Sequence, residues 1–243
     1  MLGCVGRPAI VGIFRTQLAK AAVGFYGVGP RPPKPDRMLM RATPESPRMF
    51  ESDFIDLFSR TPWTIVPVLF VPGAAFLFWG GLHYTDLGVW SMLGLTLGGF
   101  VFWTFSEYWL HRLFFHWEPG GKWGERMHFL VHGVHHKWPK DKYRLVMPPA
   151  VSIALYFIFG AIFYYTIGPR LTWGVHCGYV IGYMFYDITH YYIHHFNPKS
   201  AYGLRLKKNH MLHHFKSHDE RFGVSNMVWD KVFGTVGTNA PAG

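Results

Sequence analysis

Arg144–LVMPPAVSIALYFIFGAIFYYTIGP–Arg170–LTWGVHCGYVIGYMFY–Asp187–ITHYYIHH, ending at His195, is the stretch of sequence on which the fold turns. No Asp, Glu, Lys or Arg lies between Arg144 and Arg170, and sixteen residues separate Arg170 from Asp187. About twenty apolar residues cross a hydrocarbon core, so the first run spans as it stands. The second must extend through Asp187 and Ile188. A similar pair precedes it, since no charge falls between Arg60 and Asp86 or between Asp86 and Glu107. The four runs pair into two hairpins, at about 61–106 and 145–189. A soluble protein with buried core helices accounts for such pairing poorly. The expectation is an all-α integral membrane protein with a four-helix transmembrane core.

Both hairpins continue into histidines. Fourteen of the fifteen histidines lie between His111 and His218, and ten form four clusters. His111 and His116 read H-x4-H, and His132, His135 and His136 read H-x2-H-H. His190 and His194 read H-x3-H, and His210, His213 and His214 repeat H-x2-H-H. Steps of three and four put imidazoles on one helix face, about 5–6 Å apart, which suits shared metal coordination. The five-residue step to His116 does not fit one α-helical face, so His116 is expected at or past a helix end. One metal takes about four such ligands, and ten point to two ions. Single histidines usually cap, pack or pair; four clusters together indicate a dinuclear metal site in a helical cap.

Charge orients the chain. The short loops at His83–Asp86 and Gly168–Arg170 hold only Asp86 and Arg170 among charged residues, which leaves 23 of the 24 Lys and Arg on the other side. Cationic loops stay cytoplasmic, so both termini and all four clusters are expected in the cytosol. The formal charge of +10 suits anionic lipid head groups and an acidic redox partner. No zinc knuckle or RNA-binding aromatic motif supports nucleic acid. Cys4 and Cys177 form no C-x-x-C pair, so the metal site is not thiolate-based.

Residues 1–49 read as a cytosolic tail or targeting segment, followed by a membrane domain at 50–243. Pro30, Pro32, Pro33 and Pro35 make an extended linker, and the Arg-containing, acid-free start also fits an organelle transit peptide. Phe50 to Phe58 reads as an interfacial amphipathic helix, with Phe54, Ile55 and Leu57 beside Asp53 and Asp56. Gly94 and Gly98, like Gly174, Gly178 and Gly182, have the spacing that permits close helix contact. They are expected inside the four-helix core rather than at a homodimer interface. Phe114, Phe115, Tyr186 and Tyr191 adjoin the histidines and are candidate walls of a substrate tunnel.

All-imidazole ligation suits iron, zinc, copper or nickel and disfavours magnesium and calcium. The chain lacks the H-E-x-x-H of zinc proteases and the two Glu-x-x-His motifs that soluble di-iron bundles pair. Two redox metals at a membrane edge fit O2 activation against an acyl chain, because an unactivated C–H bond needs a strong oxidant and zinc cannot cycle. Glu107, four residues before His111, and Asp187, three before His190, could each accept an N–H bond from its histidine and fix the tautomer. Either carboxylate could equally mark the membrane boundary. His128, His195 and His218 have ligand-like spacing, but ten donors already suffice for two five-coordinate ions. His83 and His176 are expected near the opposite membrane surface.

Glu107-Tyr-Trp-Leu-His-Arg-Leu-Phe-Phe-His116 and His128-Phe-Leu-Val-His-Gly-Val-His-His136 resemble the fatty acid hydroxylase superfamily. Asp141-Lys-Tyr-Arg-Leu-Val-Met-Pro-Pro149, Tyr186-Asp-Ile-Thr-His-Tyr-Tyr-Ile-His-His195 and Leu206-Lys-Lys-Asn-His-Met-Leu-His-His214 are more narrowly similar to fatty acid 2-hydroxylases acting on sphingolipids. So are Phe222-Gly-Val-Ser and Trp229-Asp-Lys-Val-Phe-Gly-Thr235. The resemblance runs from about Phe50 to Thr235. It implies an endoplasmic-reticulum di-iron monooxygenase that uses O2 to hydroxylate carbon 2 of a long acyl chain, carried as ceramide. It also implies that the ten clustered histidines are the ligands, with His128 and His195 at non-ligand positions. Some members carry a fused cytochrome b5. This sequence has no His-Pro-Gly-Gly haem motif, only Glu118-Pro-Gly-Gly121, which implies a separate cytochrome b5 as electron donor. Two other readings compete: a sterol or carotenoid oxygenase with the same metal chemistry, and a membrane zinc-binding or transport protein. Transporters hold their ligands near the bilayer midplane, whereas these clusters lie beyond the helix ends.

Overall fold

Asp86 and Arg170, the only charges in the two short loops, meet in the fold. Arg170 Nε lies 2.5 Å from Asp86 Oδ1 and ties the tips of the two hairpins together. The computed structural model describes residues 46–237. The tail expected at 1–49 falls almost wholly outside the described residues, as does the extreme C-terminus.

The described residues are helical and contain no β-strand. In chain order they form α1 (Asp53–Phe58), α2 (Ile65–Tyr84), α3 (Val89–Trp109), α4 (Gly121–His128), α5 (Val134–Lys137), α6 (Pro149–Ile167), α7 (Pro169–His195), α8 (Ala201–Phe215) and α9 (Val228–Val232). Two π-helical turns interrupt this order. Leu110–Phe115 continues α3, and Phe129–Gly133 joins α4 to α5.

Ile65–Tyr84, Val89–Phe115 and Pro149–Ile167 are long and apolar enough to cross a membrane. The fourth expected span corresponds to α7, whose 27 residues reach about 40 Å at 1.5 Å per residue. It is less apolar because it faces protein. Helices α2, α3 and α6 all pack along it, whereas α2 and α3 touch each other little. A helix enclosed by neighbours can carry Gly, His, Tyr and Asp that lipid would penalise. The case for α7 as a fourth span therefore rests on its packing and length.

Small residues set that packing. A Cβ on Gly178 would lie 1.8 Å from Thr96 O, and one on Gly99 would lie 2.0 Å from Val175 O, so backbones meet directly where α3 crosses α7. Gly174 and Gly182 press on Leu95 and Trp103. Gly94 and Gly98 do not join this seam, since a Cβ on either meets nothing within 4 Å. Their four-residue spacing is shared with the true contact residues, but Gly99, not Gly98, points inward.

The amphipathic reading of α1 also changes in one respect. Phe54, Ile55 and Phe58 are exposed, while Asp56 is fully buried. Asp56 accepts from Arg60 Nε at 3.1 Å, Arg144 Nη2 at 3.0 Å and Met49 N at 2.7 Å. Arg144 in turn reaches Asp141 Oδ2 at 3.2 Å. Burial alone would raise the Asp56 carboxyl, but the Met49 amide and the two guanidiniums hold it below the ordinary range. This network fastens α1 and the start of α2 to the segment leading into α6.

Replacing Gly178 with Val inserts bulk against the α3 backbone and should cost at least about 3 kcal/mol, the upper end of overpacking penalties. Gly94→Val should be tolerated. Thermal melts in detergent check the pair, and equal melting temperatures for the two variants would contradict the assigned seam.

Candidate metal centre

The ten clustered histidines converge into two groups of five, their candidate ligand atoms within 4.8 Å of one another in each. The first holds His111, His116, His132, His136 and His213; the second holds His135, His190, His194, His210 and His214. The groups abut, with the rings of His136 and His214 stacked 4.2 Å apart.

Helix geometry explains the sorting. Each H-x2-H-H cluster sends its i,i+4 pair to one group and its middle histidine to the other. His132 and His136 face the first group while His135 faces the second; His210 and His214 face the second while His213 faces the first. Each group thus takes four imidazoles from one half of the chain and a fifth from the other half. The remaining pairs, His111–His116 and His190–His194, differ in spacing because their backbones differ. His190 and His194 lie on α7, where a step of four keeps one face. His111 lies in the π-helical turn that His116 terminates, and i→i+5 bonding widens the turn enough for a step of five to stay on one face. His116 is thus at a helix end, as its spacing suggested, and the π turn is the physical reason.

The Nε2 atoms are the convergent ones. His111–His132 is 3.1 Å, His111–His116 3.2 Å, His116–His213 3.0 Å and His132–His136 2.9 Å. In the second group His190–His210 is 2.9 Å, His194–His210 2.8 Å and His210–His214 3.0 Å. Nitrogens bonded at about 2.1 Å to one ion and 90° apart lie about 3.0 Å from each other. The donor set therefore fits a metal ion in each group.

Tautomers agree with that fit. His111 Nδ1 lies 2.6 Å from Phe222 O, and His213 Nδ1 lies 2.7 Å from Glu220 O. A carbonyl only accepts, so each Nδ1 carries the proton and each Nε2 presents a lone pair. Burial, reinforced by neighbouring imidazoles, pushes His136 down to about 2 and His116 to about 3. Burial pushes His213 to about 4 against the opposing pull of the Glu220 carbonyl. His132, His135 and His210 are likewise lowered by burial first and neighbouring histidines second. Near neutral pH these rings are uncharged.

The two carboxylates do not bond the histidines they precede in sequence. Glu107 accepts from Val224 N at 2.9 Å, from Ser225 N at 2.7 Å and from Ser225 Oγ. The acceptor for His111 is instead the Phe222 carbonyl. Asp187 faces the Tyr183 hydroxyl and the Met147 amide, and His190 Nδ1 has no hydrogen-bond partner among the described residues. A helical step of three or four brings side chains near each other but leaves their direction open; here Glu107 turns to Val224 and Ser225, and Asp187 to Tyr183 on its own helix and to Met147.

The remaining histidines are dispersed. His128 pairs with Glu118 at 3.3 Å, and His195 packs 4.4 Å from the Tyr191 ring. His218 lies 4.9 Å from His136, beside the first group. His83 stacks on Trp79, and His176 is buried against Tyr156. Of the expected tunnel aromatics, Phe115 stacks on His132 and Tyr186 lies 5.6 Å from His190. Phe114 is exposed, and Tyr191 packs on Trp63 instead. Phe222, not singled out for this role from sequence, lies 5.8 Å from each of His111, His116 and His213. Its place in the Phe222-Gly-Val-Ser motif was the available signal.

The fatty acid hydroxylase family model matches residues 96–235. The chain belongs to that family. It is similar to the dihydroceramide fatty acyl 2-hydroxylase FAH1 of Arabidopsis thaliana, at 39% identity over 199 residues, covering 81% of this chain and 83% of the relative. It is also similar to the fatty acid 2-hydroxylase of Mus musculus, at 37% identity, covering 78% of this chain and 56% of that one. Among solved structures it superposes on full-length scs7p, of which only the hydroxylase domain is visible. That match has a TM-score of 0.73 and 35% identity, covering 78% of this chain and 72% of that one.

This fatty acid hydroxylase should lose stability in acid when metal-free. The folded rings at His116, His136 and His213 stay neutral below the ordinary value of 6.5, whereas the unfolded chain takes up protons there. Stability is therefore complete above about pH 6.5 and falls as the pH drops toward the folded values. The melting temperature of metal-free protein in micelles should decline from about pH 7.5 to about pH 5. A flat profile would show that the rings are not buried neutral.

Proposed function

We propose that this enzyme hydroxylates carbon 2 of a long acyl chain carried on ceramide or dihydroceramide, with the ten clustered histidines holding two iron ions. The observation that carries the reading is the pair of five-imidazole groups at the ends of membrane-spanning helices. It occurs in a chain that matches a dihydroceramide fatty acyl 2-hydroxylase over four-fifths of its length.

The reaction consumes R–H, O2, two electrons and two protons and yields R–OH and water. When bound, the redox metals supply the electrons at O2 that breaking an unactivated C–H bond requires. The protein's part is placement. The five neutral imidazoles of each group would hold an ion without cancelling its positive charge. Phe115, Tyr186 and Phe222 give the surroundings of the imidazoles an apolar character suited to an acyl chain. Membrane helices that lead directly into the site bring it within reach of a lipid substrate.

The basic segments flanking the helices favour a cytosolic cap and cytosolic termini, in an endoplasmic-reticulum membrane. Electrons come from a separate acidic cytochrome b5, attracted by the same basic face. Because screening acts over about 8 Å at physiological ionic strength, turnover with such a donor should weaken as salt rises. Protein given O2 and substrate without reductant should make no 2-hydroxy product beyond its stored electrons.

Expression in cells lacking their own 2-hydroxylase, followed by lipid mass spectrometry, tests the assignment. Ceramides bearing a 2-hydroxyacyl chain are expected; hydroxylated sterols or carotenoids instead would select a different substrate class. His213→Ala should lower product formation by more than about 100-fold, beyond the range of outer-shell losses. A fully active His213→Ala enzyme would remove it from the metal site.

A further inference from the structure

Residues 220–225 form no regular secondary structure, yet five consecutive backbone amides are anchored. Arg221 N donates to Thr235 O at 2.8 Å. Phe222 N and Gly223 N donate to the two oxygens of Asp230, each at 2.9 Å. Val224 N and Ser225 N donate to Glu107 Oε1 at 2.9 and 2.7 Å. Asp230 and Glu107 are 0% and 2% exposed. Among the described residues neither carboxylate has a Lys or Arg as a hydrogen-bond partner; both are satisfied by the loop, with Thr235 Oγ1 adding a bond to Asp230 at 2.7 Å. The approach is close enough that a Cβ on Gly223 would lie 2.8 Å from Asp230 Oδ2. Arg221 adopts a left-handed φ of 62° between Glu220 and Phe222, a conformation rare for a residue other than glycine.

With its amides turned to the carboxylates, the loop directs two carbonyls to the imidazoles. Phe222 O receives His111 Nδ1, and Glu220 O receives His213 Nδ1. Both rings belong to the first group. Among the described residues the second group has no counterpart of this loop. His194 donates to the Pro139 carbonyl, whereas Nδ1 of His190, His210 and His214 has no hydrogen-bond partner among the described residues.

We propose that Glu107 and Asp230 are positioning residues which, by clamping the backbone of residues 222–225, aim the Phe222 and Glu220 carbonyls at His111 and His213 and so set the metal affinity of the first group alone. The proposal rests on the metal reading given under Proposed function. Its consequence is that two sites with matching donor sets differ in how firmly their donors are held. Orienting partners of ligand histidines typically contribute about 10–100-fold in metal affinity.

Cobalt(II) added to the metal-free full chain in detergent, followed by visible absorption and calorimetry, reads the two sites separately. Wild type should take up two ions. Glu107→Gln and Asp230→Asn should each weaken one site by about 10–100-fold and leave the other unchanged. The weakened site should be the one that His116→Ala also weakens. Asp56→Asn, which disturbs a buried carboxylate away from the imidazoles, should lower thermal stability without separating the two affinities. Equal weakening of both sites, or no weakening, in Glu107→Gln and Asp230→Asn overturns the positioning role. If either variant fails to fold, Ser225→Ala, which removes one of the bonds to Glu107, carries the test. A smaller loss at that same site supports the proposal, and no loss or an equal loss at both overturns it. Wild-type protein that takes up no cobalt overturns the metal reading and the proposal together, whereas two-site binding unchanged in the variants overturns only the positioning role.

Discussion

Ring nitrogens gathered to within 2.8–3.2 Å of one another are the constraint on which this structure depends. Where Nε2 carries a lone pair, as in His111 and His213 with Nδ1 donating to a carbonyl, a second lone pair at that distance repels unless a cation lies between them. Protonation could relieve one contact but not a whole cluster, because burial and neighbouring rings keep the histidines neutral. The fold therefore holds an arrangement that a metal makes favourable, and much of the cap serves to bring those nitrogens together. The π turn at Leu110–Phe115 wastes hydrogen-bond geometry that an α-helix would keep. Its return is that His111 and His116 face the same point.

The exchange of His135 and His213 between groups follows from the same requirement. An α-helix presents i and i+4 on one face, while i+3 stands 100° around the axis from i+4. Between two adjacent sites, that rotation lets one helix serve both. Neither half of the chain completes a group by itself, so the groups form only when both hairpin extensions and α8 are in register. The seam of α3 on α7, where Gly99 and Gly178 let backbones touch, supplies that register. Membrane packing thus sets the separation of His111 from His190, well away from the seam itself.

Much of this was legible in the sequence, for reasons that can be stated. The charge-free runs and the histidine clusters are periodic, local signals, and they pointed to an all-α membrane fold with two groups of imidazoles. What escaped were directions. Glu107 has the correct spacing to meet His111, yet it turns to Val224 and Ser225, a contact more than a hundred residues distant in sequence. Gly98 and Gly99 differ by one position, which is 100° on a helix, and only tertiary packing decides which faces α7. Asp56 belongs by its pattern to the polar side of an interfacial helix. It points inward because Arg60 and Arg144 receive it, leaving Phe54 and Ile55 outside. The low apolarity of α7 reflects enclosure by its neighbours, which hydropathy alone does not register.

The motifs outside the histidines acquire a physical meaning from these contacts. Asp141 and Arg144 belong to the network that fastens α1 to the approach of α6. Phe222-Gly-Val-Ser and the Asp230 motif build the loop that receives His111 and His213. Buried carboxylates saturated by backbone amides are rigid, since moving them strands several donors at once. They suit the task of fixing a loop without regular structure, for which helix hydrogen bonds are not available. The two groups have near-symmetric donor sets but unlike supports, carbonyls of a clamped loop on one side and chiefly helix packing on the other. Ligand count alone would make the two sites equivalent; the loop makes them different.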